Sequence, residues 1–189
     1  MNKSLLAVAA CCALGISQAA FAVETFESIA VGSYASLTSA GITYSLSSGN
    51  ITVSDDSNGQ YALAPSGTHF LDNRFGGADF IFTLTAPVSS FGLQIGATNS
   101  AQTLSAYDSL NNLLGSVAIP NQVSTMPHPY SGFYTLSFGG MSKVVLTASA
   151  SDWIVVDNVT AAVPEPETYA MLLAGLGLLG AATRRRNRK

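Results

Sequence analysis

Along the middle of the chain, residues 23–162, hydrophobic and polar positions alternate with a period of two. The hydrophobic positions of residues 80–84 and of residues 91–95 each fall on one face of an extended strand. Similar short runs occur at 42–46, 103–107, 133–138, 144–147 and 153–159. Clusters rich in glycine, asparagine and aspartate separate them. This pattern predicts eight or more short strands and an all-β fold, an antiparallel β-sandwich.

The first 22 residues follow a different pattern. Lys3 precedes an apolar run at 5–16, and Ala20–Phe21–Ala22 comes after it. These are the parts of a secretory signal peptide, so we expect an N-terminal signal helix that signal peptidase removes by cutting after Ala22. The chain's two cysteines, Cys11 and Cys12, both fall in this segment. The residues before Cys11 resemble a lipoprotein signal, but so early a cysteine leaves almost no hydrophobic region before it.

The C-terminal segment, residues 163–189, has three parts. Val163–Pro164–Glu165–Pro166 is followed by an apolar stretch at 169–182 and then by a basic end that includes Arg184, Arg185 and Arg186. The prolines predict a rigid spacer. As a helix the apolar stretch spans about 20 Å, which predicts a short transmembrane helix. The arginines predict a cytoplasmic flank that stops transfer.

This order of box, apolar stretch and basic end resembles the PEP-CTERM sorting signal of Gram-negative bacteria. The resemblance implies that an exosortase processes the chain and that the protein is linked to exopolysaccharide production. It also implies export through the inner membrane, a membrane-anchored precursor, and a final place at the cell surface or in the extracellular matrix. On this interpretation the tail is a substrate with no chemistry of its own.

Removing the two ends changes the charge of the chain. Formally the whole chain carries −3, but residues 23–162 hold nine acidic against two basic side chains, a net charge of −7. A field of that sign repels nucleic acid. We therefore expect no nucleic-acid partner.

No group of residues in the sequence indicates catalysis. The two histidines, His69 and His128, lack a catalytic partner nearby in sequence, and no nucleophile elbow, H-E-x-x-H or phosphate loop occurs. A Ser–His–Asp triad stays open in principle, because its order varies between folds. We expect a protein that is not an enzyme.

The runs at 80–92, 103–108 and 157–159 resemble the extracellular domain common in PEP-CTERM proteins and jelly-roll modules of the carbohydrate-binding type. That resemblance implies a jelly-roll-like sandwich. It also implies a structural calcium held by an early glutamate and an aspartate of the last strand, here Glu27 and Asp157. The alternative is that Asp157 simply bonds to backbone at the strand's end.

Four aromatic side chains are candidates for stacking on a sugar ring: Trp153, Tyr61, Phe75 and Tyr130. Trp153 is the chain's single tryptophan, and core packing is the alternative for it. The sequence thus predicts a non-enzymatic structural or polysaccharide-binding module. The alternatives are a secreted glycoside-active hydrolase or an ice-binding protein with the same tail.

Overall fold

The protein is described by a computed structural model that defines residues 21–56, 66–74, 77–96, 100–121, 130–148 and 152–162. Most of the predicted signal peptide and all of the predicted sorting tail lie outside these residues, and so do the helices expected there. Within the described ranges, no helix is long and apolar enough to cross a membrane.

Thirteen strands lie in the described residues. They are β1 (Phe21–Glu24), β2 (Gly32–Tyr34), β3 (Leu37–Ser39), β4 (Ile42–Leu46), β5 (Ile51–Asp55), β6 (His69–Asp72), β7 (Phe80–Val88), β8 (Ser90–Gly96), β9 (Gln102–Tyr107), β10 (Leu113–Ile119), β11 (Tyr130–Leu136), β12 (Met141–Thr147) and β13 (Val155–Ala162).

The strands form two sheets. Sheet A has seven strands in the order β11-β8-β13-β6-β5-β2, with β1 also paired to β13. Sheet B has six strands in the order β10-β9-β12-β7-β4-β3. Every strand pairing is antiparallel. The prediction of an all-β antiparallel sandwich is confirmed.

The main hydrophobic core is built from inward-facing side chains of both sheets. On β7 the burial alternates as the sequence pattern requires, with Phe80, Phe82 and Leu84 inside. The ring of Phe82 lies 5.8 Å from that of Tyr44 on β4 and 5.2 Å from that of Phe91 on β8, measured between centroids. Because rings of this size bury more apolar surface than any other side chain, they dominate the energy of the core.

The last strand and the residues before it divide their side chains between the two faces of sheet A. Ile154 and Val156 belong to the main core. Trp153 and Val155 instead join Phe70 in a second, smaller cluster. This alternation follows the period of two in the sequence. We refer to the side of the second cluster, which points away from the main core, as the outer face of sheet A.

The two ends of the described chain meet in one ladder. Residue 21, at the start of β1, pairs with Ala162 at the end of β13. Residues Ala20–Glu165 form one compact unit. Cleavage after Ala22 remains a prediction, and it would leave Val23 and Glu24 of β1, which pair with Thr160 and Val159.

The edges of the two sheets differ in length from one side of the sandwich to the other. On one side the edge strands β2 and β3 have three residues each. On the other side the edge strands β10 and β11 have seven residues each, and they approach one another.

Candidate functional site

A cavity of about 240 Å³ opens on the outer face of sheet A. Leu71 on β6 packs in the main core, so its neighbours Phe70 and Asp72 point to the outer face. We call this cavity the outer pocket. Its lining combines apolar, acidic and basic side chains: Val31, Ser54, Asp55, Phe70, Asp72, Arg74 and Trp153.

Asp72 is the most constrained side chain of the outer pocket, since it is only 1% exposed. Its carboxylate accepts hydrogen bonds from the Ser54 hydroxyl and from the Arg74 backbone N–H at 2.9 Å. The Arg74 Nε lies 3.6 Å from the same carboxylate. Burial raises the pKa of Asp72, while the bonds from Ser54, Arg74 and Trp153 partly oppose that rise. These partners hold Asp72 in one orientation.

Trp153 is positioned by a buried asparagine on the segment that follows β6. The Asn73 side chain donates to the carbonyl of Asp152 at 3.0 Å and accepts from the N–H of Ile154 at 3.0 Å. Asn73 therefore holds the backbone on both sides of Trp153. The indole packs with Phe70 and is 7% exposed. It presents a narrow part of its surface to the outer pocket rather than an open ring face.

The other predicted aromatic platforms are less well defined. Tyr61 and Phe75 lie outside the described residues. Tyr130 begins β11, and its side chain is also outside them. Its backbone is in register with Gly96 on β8, which pairs with Val155 and, through it, with Asp72. At about 4.8 Å per strand, Tyr130 lies about 14 Å from Asp72 across the sheet.

Sequence reasoning missed one aromatic residue of the outer face, Phe133. It pairs with Gln94, and its side chain is 50% exposed. The ring rests against Gly92, where a Cβ atom would come within 2.5 Å of it. Because Gly92 has no side chain, the ring can pack directly against the sheet at this position. The Gly92–Phe133 contact joins residues 41 positions apart, so neither residue signals the contact on its own.

A second group of polar residues surrounds Asp157, where β13 is irregular. The register with β8 shifts between Asp157 and Thr160, and Asn158 has a φ of 48°. The Asp157 carboxylate accepts from the N–H of Asn158 at 2.6 Å and from the Ser66 hydroxyl at 3.3 Å. The Asn158 amide donates to Gln94 Oε1 at 2.6 Å. Backbone bonding of Asp157, the alternative from sequence, is therefore present.

Glu27 belongs to the same group through the segment 66–69. Its Oε1 accepts from the N–H of Thr68 at 2.8 Å and from that of His69 at 2.6 Å. Gly67 has a φ of 79°, and a Cβ there would lie 2.2 Å from the Glu27 carboxyl carbon. We call Glu27, Ser66, Asp157 and Asn158 the Glu27–Asp157 corner.

The electrostatics of this corner suit a cation. Asp157 is fully buried, and burial raises the pKa of its carboxyl to about 7; the charge of Glu27 adds to the rise. The described residues contain no cluster of three or more His, Cys, Asp or Glu. A calcium ion here would therefore need oxygen ligands besides the two carboxylates. Ser66 Oγ and Asn158 Oδ1 lie 2.7 Å apart and are oxygens of the kind that calcium accepts.

Of the two histidines, the structure describes His69, whose ring contacts a backbone carbonyl. His69 Nδ1 lies 3.2 Å from the carbonyl oxygen of Phe26, a contact that ties β6 to the segment after β1. His128 lies outside the described residues.

Comparison with known proteins identifies the tail. The PEP-CTERM protein-sorting motif family matches residues 162–186. No curated protein matches the chain. Among solved structures, TmCBM61, solved in complex with β-1,4-galactotriose, has 15% identity and a TM-score of 0.42; the match covers 65% of this chain and 88% of that one.

Two further solved structures match this chain. A DUF4465 family protein from Bacteroides caccae has 10% identity and a TM-score of 0.49, covering 77% of this chain and 100% of that one. CBM29_1, a family 29 carbohydrate-binding module from Piromyces equi, has 7% identity and a TM-score of 0.43, covering 78% and 93%. The chain thus carries a PEP-CTERM protein-sorting motif, and its described residues form an antiparallel β-sandwich.

Proposed function

We propose that the protein is a non-enzymatic surface module that binds a neutral polysaccharide through the outer face of sheet A. The observation that carries this proposal is the sorting motif at residues 162–186, which begins where β13 ends. Such a motif implies export and cell-surface sorting. On this proposal the inner membrane holds a precursor by the apolar stretch, and signal peptidase and an exosortase process its two ends.

The chemistry of the outer face supports a sugar ligand. A sugar offers hydroxyl groups for hydrogen bonding and C–H faces for contact with aromatic rings. Arg74 and Ser54 supply polar groups in the outer pocket, and Phe133 supplies an exposed ring on the same face. The net charge of −7 over residues 23–162 favours a neutral polymer, since an acidic glycan would be repelled.

Two features support binding over hydrolysis. Asp72 is held by hydrogen bonds from Ser54 and Arg74, so its carboxylate is already engaged. Arg74 beside it is an always-charged donor and serves poorly as a proton shuttle. The enzyme alternative requires turnover, and an ice-binding role requires a depressed freezing point; both are measurable on the same protein.

The direct test is retention of the protein on purified polysaccharide of the producing cell. Phe133→Ala should weaken retention about fivefold, because an aromatic contact contributes about 1 kcal/mol. Arg74→Ala, at a side chain that is 65% exposed, should weaken it as well. Thr38→Ala, on the exposed side of sheet B, is the matched control and should change nothing.

The possible results separate the candidate functions. Equal retention of the parent protein and an unrelated acidic protein would contradict binding and leave a structural coat role. New reducing ends in the polymer would point to an enzyme.

We also propose that the Glu27–Asp157 corner holds a structural calcium ion. A cation between the two carboxylates would relieve their repulsion and the cost of burying Asp157. Calcium at a hundredfold excess over its Kd should then stabilise the domain by about 3 kcal/mol relative to chelator.

Thermal melting with and without calcium tests this assignment. Asp157→Asn and Glu27→Gln should each abolish the response to calcium, whereas Asp108→Asn, at an exposed carboxylate, should keep it. Identical melting curves of the parent protein in calcium and in chelator would contradict calcium binding at this corner.

A further inference from the structure

The seven-residue edge strand β10 lacks most of the features that normally prevent an exposed sheet edge from pairing with another chain. Proteins protect such edges with short strands, charged side chains, prolines, bulges or a covering segment. Strand β10 is seven residues long and contains neither a charge nor a proline. It has an irregularity between Leu113 and Gly115 and is regularly paired with β9 from there to Ile119. Among the described residues, no strand is hydrogen-bonded to its other side, although β11 of sheet A approaches it.

The charge distribution sets this side of the domain apart. The whole stretch 109–142, which includes β10 and β11, contains no Asp, Glu, Lys or Arg. The charge of −7 on residues 23–162 therefore comes from other parts of the sequence. Two copies can bring β10 strands together without placing charged side chains of this stretch against one another.

The hairpin tip before β10 presents apolar side chains on a rigid support. Leu110 is 78% exposed and Leu113 is 60% exposed. The Asp108 carboxylate accepts from the N–H groups of Leu110 and Asn112, each at 2.8 Å, which closes the turn. Lys143 also reaches the tip, donating to Asn111 at 2.6 Å. The leucines are thus held outward by a turn that is bonded on several sides.

We propose that β10 is a self-association edge, where it pairs antiparallel with β10 of a second copy of this chain. The backbone of one strand is complementary to that of the same strand turned by a two-fold axis, and the pairing would join the two six-stranded sheets into one. In this antiparallel pair, the Leu113 end of each strand would lie beside the Ile119 end of the other copy. The short edges β2 and β3 offer three residues each and no comparable ladder. This inference is independent of the polysaccharide proposal.

The test places like charges on the proposed interface. Ser116 and Ala118 are both exposed on β10, so Lys can replace each without entering the core. Across a two-fold pair of strands the new lysines face one another or their close neighbours, and the dimer of Ser116→Lys/Ala118→Lys should be about tenfold weaker or more. Ser33→Lys/Thr38→Lys adds the same charge to the short edges and is the matched control.

The full-length protein should be followed in detergent by sedimentation over a micromolar concentration series. We expect a reversible dimer for the parent protein and for the control variant, and mainly monomer for the β10 lysine variant. A Ser116→Glu/Ala118→Glu variant should also be monomeric alone and should restore the dimer when mixed with the lysine variant. That rescue excludes misfolding as the cause.

Two results would overturn the proposal. A parent protein that stays monomeric throughout the series would show that the edge does not self-associate. Equal association of the parent and the β10 lysine variant would show that copies meet elsewhere, for example through their apolar tails.

Discussion

The buried carboxyl of Asp157 makes the stability of the metal-free domain depend on pH in an unusual direction. Its pKa is raised from 3.8 to about 7, chiefly by burial. Between these two values the folded protein holds a proton that the unfolded chain has released, so stability is lost as the pH rises. One pKa unit corresponds to about 1.36 kcal/mol, so raising the pH from 4 to 8 should cost on the order of 4 kcal/mol.

Urea unfolding of residues 23–162 in chelator, at intervals from pH 4 to pH 8, measures this loss. The fluorescence of Trp153 is a suitable signal because it is the chain's single tryptophan. Asp157→Asn keeps the shape of the side chain and removes its titration. The variant should therefore lose much less stability with pH and should be more stable than the parent protein above pH 7.

Asp108→Asn is the control, because its exposed carboxyl has a lowered pKa and stays ionised over most of this range. The free energy of unfolding of Asp157→Asn should still fall slightly with pH, since burial also raises the pKa of Asp72. If the parent protein and Asp157→Asn show the same slope, the reasoning about the buried carboxyl is wrong.

Four further predictions concern the processing signals, the core and the corner. Intact-mass analysis of the exported protein should find Val23 at the mature N-terminus; a lipid-bearing cysteine start would contradict this. Replacing the three arginines at 184–186 by Glu should disturb membrane retention or orientation in cell fractionation, and normal maturation would count against the sorting interpretation. Phe82→Ala should lower the free energy of unfolding by about 4 kcal/mol in urea titration, because it leaves a cavity in the main core. Gly67→Ala should cost about 1 kcal/mol, since φ there is 79°, and should also weaken the calcium response by displacing Glu27.

The regular part of the fold could be predicted because burial and strand geometry act together in the central strands. Residues 42–46 form a strand with the bounds read from the sequence, and β7 and β8 include the runs at 80–84 and 91–95. These strands have one face in the core, so their hydrophobic positions alternate. The PEP-CTERM prediction for the tail was also confirmed. It could be made from the sequence because the box, the apolar stretch and the basic end follow one another directly along the chain.

The edge strands and the outer pocket could not be predicted in the same way. Strand β10 lies at an edge, and its residues Leu113 and Leu114 are adjacent apolar positions with no alternation. The outer pocket combines residues from β5, from β6 and from the segment before β13, which are far apart in the chain. Sheet order brings them together, and a single sequence does not contain that order. The sequence placed Glu27 and Asp157 at the two ends of the domain. Only the fold shows that segment 66–69 contacts both of them.

The position of β13 in sheet A has a mechanical consequence for a protein tethered through residues that follow Ala162. Strand β13 is an inner strand, bonded to β8 on one side and to β6 and β1 on the other. A pull along its axis would shear both ladders at once, so many hydrogen bonds would have to break together. A pull on an edge strand would instead break its hydrogen bonds one after another. A domain tethered in this way would be held by the strand best placed to resist a pulling force.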